Sequence, residues 1–198
     1  MHISLPFTWP YALVFWIVLI WAFAPEMTLV KRSEPRVKEE DSPDAGSMRL
    51  IIVGNQLGLF SALAISFVAA CAFPARMQQP LFWSGIALII GGSLLRRHCW
   101  RVLGQHFTGD VRAAADQPVV ERGAYRFVRH PSYSGGMLLF IGVALALGSW
   151  GSLLIMTIEP AIVYAYRISV EERALASTIG EPYREYMKRR KRLIPFVY

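Results

Sequence analysis

The stretch Gly123–Gly135, GAYRFVRHPSYSG, places three aromatic rings, two arginines and a histidine between two segments apolar enough to enter a membrane. Pro131 fixes its own φ and steers His130 out of the helical region, so the side chains of Arg129 and His130 are re-aimed at a helix entry. An arginine and a histidine held there can grip a carboxylate. About thirty-five residues further on come Glu171 and Glu172, just after Arg167 on what reads as one helix. In isolation Arg167 and Glu171 would be a surface pair contributing a few tenths of a kcal/mol, and Glu172 a solvated residue. That helix leaves an apolar segment directly, however, so its first polar turn lies at the same membrane boundary as Arg129–Tyr133. A carboxylate there can meet an amine or a ribose hydroxyl. The polar clusters bracket one apolar hairpin and can meet at one membrane face, which suits chemistry on something lipid-borne.

The elements that must position these residues are membrane helices. Of 198 residues, 54% are hydrophobic and 18% charged, and the mean hydropathy is +0.36, too apolar for an ordinary soluble domain. The expected fold is all-α: a polytopic membrane bundle of about five transmembrane helices, with a cytosolic-side catalytic region and a C-terminal amphipathic helix. It forms one domain over 1–198, with N-terminal helices in 1–101 and a catalytic half in 102–198. Segment one runs from Trp9 to Phe23, and Pro25 helps to stop it; the lack of a positive region before it and a poor cleavage site at Ala24–Glu26 argue against a signal peptide. Segment two spans Leu50–Phe73, with Gly54, Gly58 and Ala62 on one face suited to close packing or dimerisation. Pro74–Pro80 reads as a turn, and segment three as Leu81–Leu95. Segment four starts in SYSGGMLL and ends near Leu147; segment five runs from Leu153 toward Arg167, joined to it through GSWG. Lys31–Asp44 reads as a mobile, mixed-charge loop.

The net charge of +7 is explained by topology rather than by nucleic acid, because the basic residues sit at segment ends and in the tail. Lys31, Arg32, Arg36, Lys38 and Arg49 follow segment one, and Arg96, Arg97 and Arg101 follow segment three, whereas Arg76 alone precedes segment three and GSWG has no basic residue. This pattern puts the N-terminus outside and the C-terminus in the cytosol. The run Lys188–Arg192 is most simply a contact with anionic lipid. Cys71 and Cys99 read as packing residues near opposite sides of the bilayer, and His98, His106 and His130 lack the spacing of a metal site, so no metal is expected. Glu159, before Pro160 inside segment five, is either a residue touching substrate or an acid satisfying a proline-disturbed turn.

RHPSY, the Glu171–Glu172 pair and the GEPYREY tail, in this order and spacing, resemble the isoprenylcysteine carboxyl methyltransferase family of integral membrane methyltransferases, related to phospholipid methyltransferases. The likeness covers about the last half of the chain, from Leu103. It implies S-adenosyl-L-methionine as cofactor, bound without a Rossmann domain. It further implies cofactor-binding roles for Val119, Val120, Tyr125, His130, Pro131, Tyr133, Glu171 and Glu172. Where the family pattern usually has tryptophan after Leu103–Gly104, this chain has Phe107, following Gln105 and His106. Arg129, Arg167 and Glu172 are the catalytic candidates, with either arginine orienting the acceptor, and the partners are a lipid-borne or isoprenoid substrate and membrane lipids. A carboxylate acceptor is ionised near neutral pH and needs no base. The competing readings are amine or phospholipid N-methylation, which needs one, from Glu159 or Glu172, and a non-catalytic scaffold or sensor of the same fold.

Overall fold

The computed structural model describes residues 4–32, 47–104 and 117–194, and among them six helices follow one another: α1 (Tyr11–Arg32), α2 (Ser47–Ile65), α3 (Ala75–Leu103), α4 (Pro131–Leu147), α5 (Trp150–Thr178) and α6 (Glu181–Arg189). Lys31 and Arg32 end α1; the rest of the expected loop to Asp44, and the positions Gln105, His106 and Phe107, lie outside the described residues.

Several helices outrun their expected ends, each for a local reason. Proline has no N–H, so Pro25 deprives the Trp21 carbonyl of its helical donor. Arg97 fills the gap: its Nη2 donates to Trp21 O at 2.5 Å, and its guanidinium lies 4.3 Å from the Trp21 ring centre. Thus α1 continues through Pro25. The expected turn over Pro74–Pro80 is instead the start of α3, because the carbonyl that Pro80 leaves without a donor belongs to exposed Arg76. Beyond Leu95, α3 is carried on by Arg97 Nε on Ser93 Oγ at 3.2 Å and by Arg96 over the Trp100 ring. Conversely α2 stops at Ile65 rather than Phe73. The Phe67 and Val68 N–H groups tighten onto the Ala64 and Ile65 carbonyls, and the Ser66 hydroxyl folds back on Leu63 O at 2.7 Å. The hairpin matches expectation: Gly148, with φ +70, ends α4, and Ser149 caps α5 by accepting the Ser152 N–H.

The helices alternate in direction, and their ends sort by chemistry. At one end Ser4 Oγ donates to Leu147 O, and Phe73 N–H donates to Gly148 O. At the other, Arg96 Nη1 donates to Ser132 O beside the entry to α4. Cys71 and Cys99 lie toward opposite ends of α3.

The tightest crossing is between antiparallel α3 and α4. A Cβ on Gly92 would stand 2.5 Å from Gly135 O, and one on Gly85 the same distance from Gly142 O, so backbone rides on backbone at two levels. Gly92→Ala should therefore force the pair apart and cost about 1–3 kcal/mol, read as a fall in the thermal midpoint; an unchanged midpoint would show that the crossing can yield. The glycine face of α2 packs inward on α5. Gly54 and Gly58 make room for Glu159, whose two carboxyl oxygens are buried without a hydrogen-bond partner among the described residues. Outward faces stay apolar, with Leu13, Ile17 and Ile20 on α1, Leu50, Val53, Leu57 and Phe60 on α2, and Leu154, Ile158 and Ile162 on α5 exposed at helical spacing. Among the described residues α5 alone is long and apolar enough to cross a membrane by length and composition; Tyr11–Pro25, Arg49–Ile65 and Pro131–Leu147 are shorter apolar stretches.

Candidate active site

Three pieces of chain converge at the arginine-rich end: the turn before α4, the last polar turns of α5, and the tail after α6. Gly123 opens the turn at φ +60, where a Cβ would press on His98 Nε2 at 2.7 Å, so a side chain is excluded both by conformation and by space. Tyr125 is buried, its phenol hydrogen-bonded to the Cys99 thiol, and burial pushes that phenol well above its usual range. His130 then stands at the entry of α4 with φ −125 and ψ 56, and Pro131 occupies the first helical position, fully buried. This is the re-aiming expected of a residue before proline.

Glu172 is the centre of the convergence. It projects from the polar turns of α5 that follow Tyr166, and it is 3% exposed. Its Oε1 receives Arg129 Nε at 2.9 Å and Nη2 at 2.8 Å, and lies 3.1 Å from His130 Nε2. Its Oε2 receives Arg192 Nε at 3.1 Å and Nη2 at 2.9 Å. Burial acts to raise the Glu172 pKa, but hydrogen bonds from His130 and Arg192 and the charges of His130 and Arg129 outweigh it and hold the carboxyl down to about 2. Arg129 is committed elsewhere too, its Nη1 donating to Met187 O at 2.6 Å and Arg190 O at 2.7 Å.

A second chain of contacts runs beside the first. The Tyr133 hydroxyl donates to Glu171 Oε2 at 2.9 Å and accepts from Arg167 Nε at 3.3 Å, while Arg167 Nη1 donates to the Ser47 hydroxyl at the start of α2. Arg167 is thus buried, not a surface residue, and it reaches Glu171 through Tyr133. Glu171 keeps 29% of its side chain exposed and lies 4.0 Å from His130 Nδ1. The His130 and Tyr133 rings are 5.8 Å apart, and Tyr164 lies 4.9 Å behind Tyr133.

The structure therefore gathers Arg129, His130, Tyr133, Arg167, Glu171 and Glu172, with Tyr125 and Pro131 buried in the same turn. Val119 and Val120 are half-buried on the irregular segment 117–121 that leads into it. Glu159 stands apart, roughly 12 Å before Arg167 along α5. Sequence reading missed Arg192, Ser47 and the two α6 tyrosines. Tyr183 and Tyr186, three apart, face inward, and the Tyr186 hydroxyl donates to Tyr125 O at 2.7 Å. Nor is the run Lys188–Arg192 simply a lipid contact: Arg189 pairs with Glu121 at 2.7 Å, Lys188 with Glu185 at 2.6 Å, and Arg192 turns in to Glu172. The spacing of the tyrosines was a usable signal, but nothing in five successive basic residues marks the one that turns inward.

Residues 81–181 match the family model for phospholipid methyltransferases. Protein-S-isoprenylcysteine O-methyltransferase B of Arabidopsis thaliana is 30% identical over 137 residues, which cover 67% of this chain and 70% of that protein. The protein-S-isoprenylcysteine O-methyltransferase of Schizosaccharomyces pombe is 31% identical over 58% of this chain and 49% of its own length. The solved structure of the eukaryotic intramembrane Ras methyltransferase ICMT (isoprenylcysteine carboxyl methyltransferase) superposes with a TM-score of 0.61 at 25% identity, over 74% of this chain and 52% of that one. The chain spans about half the length of these last two proteins.

Proposed function

This chain belongs to the phospholipid methyltransferase family, with isoprenylcysteine O-methyltransferases among its relatives, and we propose that it methylates the carboxylate of an isoprenylcysteine-like or other lipid-borne acceptor at the membrane–cytosol boundary, using S-adenosyl-L-methionine. In this reading α1–α5 all cross the bilayer, the N-terminus is outside, and the C-terminus and site are cytosolic. Support comes from the alternation of the helices and from the arginines gathered at one end.

The donor set fits S-adenosyl-L-methionine. Glu171 is a partly open carboxylate that can accept from an ammonium or a ribose hydroxyl. The Tyr133 and His130 rings offer faces to a cation, and two arginines against the single Glu172 leave positive charge for a carboxylate. When bound, the cofactor supplies an electrophilic methyl group on sulfur. Glu171, Tyr133 and His130 would hold it, with Val119, Val120, Tyr125 and Pro131 shaping the wall. Arg129 faces Glu172 and the tail carbonyls, whereas Arg167 lies beside Tyr133, the partner of Glu171, and the grip on the acceptor carboxylate is assigned to Arg167 by that position. The work of these residues is to align the acceptor oxygen and exclude water.

The observation that carries O-methylation over N-methylation is the state of Glu172. A carboxylate caged by Arg129, His130 and Arg192 and held far below neutral pH is a poor base, whereas an acceptor carboxylate needs none. The amine reading keeps one support, the name of the family model, and Glu171 would then be the base. Purified protein in lipid, given methyl-labelled cofactor with a short prenylcysteine and phosphatidylethanolamine, should yield label that alkali releases as methanol. Alkali-stable label in the lipid would overturn the carboxylate assignment.

A further inference from the structure

Arg192 follows the GEPYREY motif in the basic tail, yet it completes the cage around Glu172. It is delivered by backbone. The Arg129 and His130 N–H groups donate to Lys191 O at 2.8 Å and Arg192 O at 2.9 Å, and Ser134 Oγ donates to Leu193 O at 2.7 Å. The residues 191–193 therefore lie along the turn before α4 and its first residues, with one isolated parallel bridge between Val128 and Lys191. Arg129 Nη1 fastens the chain leading into this segment through the Met187 and Arg190 carbonyls.

The cage is divided between the two carboxyl oxygens. Arg129 and His130 take Oε1 and are nearly enclosed, with 9% and 4% of their side chains exposed. Arg192 takes Oε2 from the open side, with 36% of its side chain exposed. Without it the carboxyl group would be anchored through one oxygen and free to rotate about that anchor. Glu171 is the next residue in the same helix and is the carboxylate turned toward the open part of the site.

We propose that Arg192 is a positioning residue of the methyl-donor site and that the tail segment Lys191–Leu193 is the strap that brings it there. By pinning Oε2 it fixes the plane of the Glu172 carboxylate, and so the setting of His130 and Glu171 that faces the donor. This role rests on the methyl-donor reading given above. It also extends the site to a segment whose charge pattern alone suggests only a membrane-surface run.

The test uses the full chain in lipid nanodiscs, titrated calorimetrically with S-adenosylhomocysteine. Arg192→Gln should weaken binding about 10- to 100-fold, as expected for loss of a charged hydrogen bond, with Arg192→Lys recovering part of it. In an E172Q background, R192Q should add nothing, because its action passes through Glu172. A stability readout completes the test. The charged or titratable groups left facing Glu172 in R192Q are Arg129 and His130 from the turn before α4, Glu171 on its own helix and Tyr183 on α6. With one cation fewer the Glu172 carboxyl is held down less, so the fall in thermal midpoint below about pH 4.5 should be smaller than in the wild type and should level off at a higher pH. Tight binding by R192Q, or equal R192Q losses with and without Glu172, would overturn the positioning role while leaving the donor reading intact. No binding by the wild-type protein would overturn the donor reading itself, and the positioning role with it.

Discussion

Glu172→Gln should lower methyl transfer by about a hundredfold or more, since it unsettles Arg129, His130 and Arg192 at once. Glutamine keeps the shape but not the charge, and its amide N–H₂ would face Arg129 or Arg192, two donors meeting a donor. Breaking a buried ion pair by removing one partner leaves uncompensated charge, at a cost of about 3 kcal/mol. The substitution should also remove an acid response. The Glu172 carboxyl is held down to about 2 from an ordinary 4.5, so its cage contributes fully above about pH 4.5 and is lost as pH falls toward 2. Wild-type protein should lose thermal stability across that window, and E172Q should lose less. Wild-type turnover in a folded E172Q protein would remove Glu172 from the active site.

Arg167→Ala should have the next largest effect, chiefly on the acceptor. Truncating one partner of a buried charge pair typically costs about 2–5 kcal/mol, which corresponds to about 30- to 3,000-fold in kcat/KM. Because Arg167 also donates to Tyr133, which holds Glu171, some loss of donor affinity is expected. The fall should nonetheless be larger in kcat/KM for the acceptor than in binding of S-adenosylhomocysteine. Arg167→Lys should recover little, since an ammonium cannot present the forked donors that a carboxylate takes. Equal losses for donor and acceptor would make Arg167 a support for Tyr133 rather than the residue that grips the acceptor.

The parts of this site that the sequence made legible are those where neighbours in the chain are neighbours in space. Arg129, His130, Pro131 and Tyr133 lie on one short turn whose geometry proline dictates, and Glu171 and Glu172 lie on a helix leaving an apolar segment, so their meeting across one hairpin could be foreseen. Helix ends were harder to read. Pro25 and Pro80 look like stops, but a helix passes either when the orphaned carbonyl finds another donor, as Trp21 finds Arg97, or lies where it is exposed. The basic stretch after Leu95 reads as a membrane edge, whereas in the structure it continues α3 as far as Leu103. The small-residue face of α2 was visible, but not its partner: the space at Gly54 and Gly58 is taken by Glu159, the acid that was itself unplaced.

Arg192 was illegible for a different reason. Its place depends on α6 ending at Arg189 and on Arg190 turning extended, at φ −124 and ψ 143, so that the tail can lie against the turn before α4. No spacing rule connects residue 192 to residue 172; only the tertiary path of the tail does.

The methyl-donor site is tested most directly by calorimetric titration of S-adenosylhomocysteine into the wild-type chain and its Glu171→Gln and Glu172→Gln variants in lipid nanodiscs, with the fold of each checked by circular dichroism. The predicted result is saturable binding at one site in the wild type, weakened in Glu171→Gln and weakened, though still measurable, in Glu172→Gln, with helix content retained. Binding of the same strength in all three proteins, or none in the wild type, would contradict it.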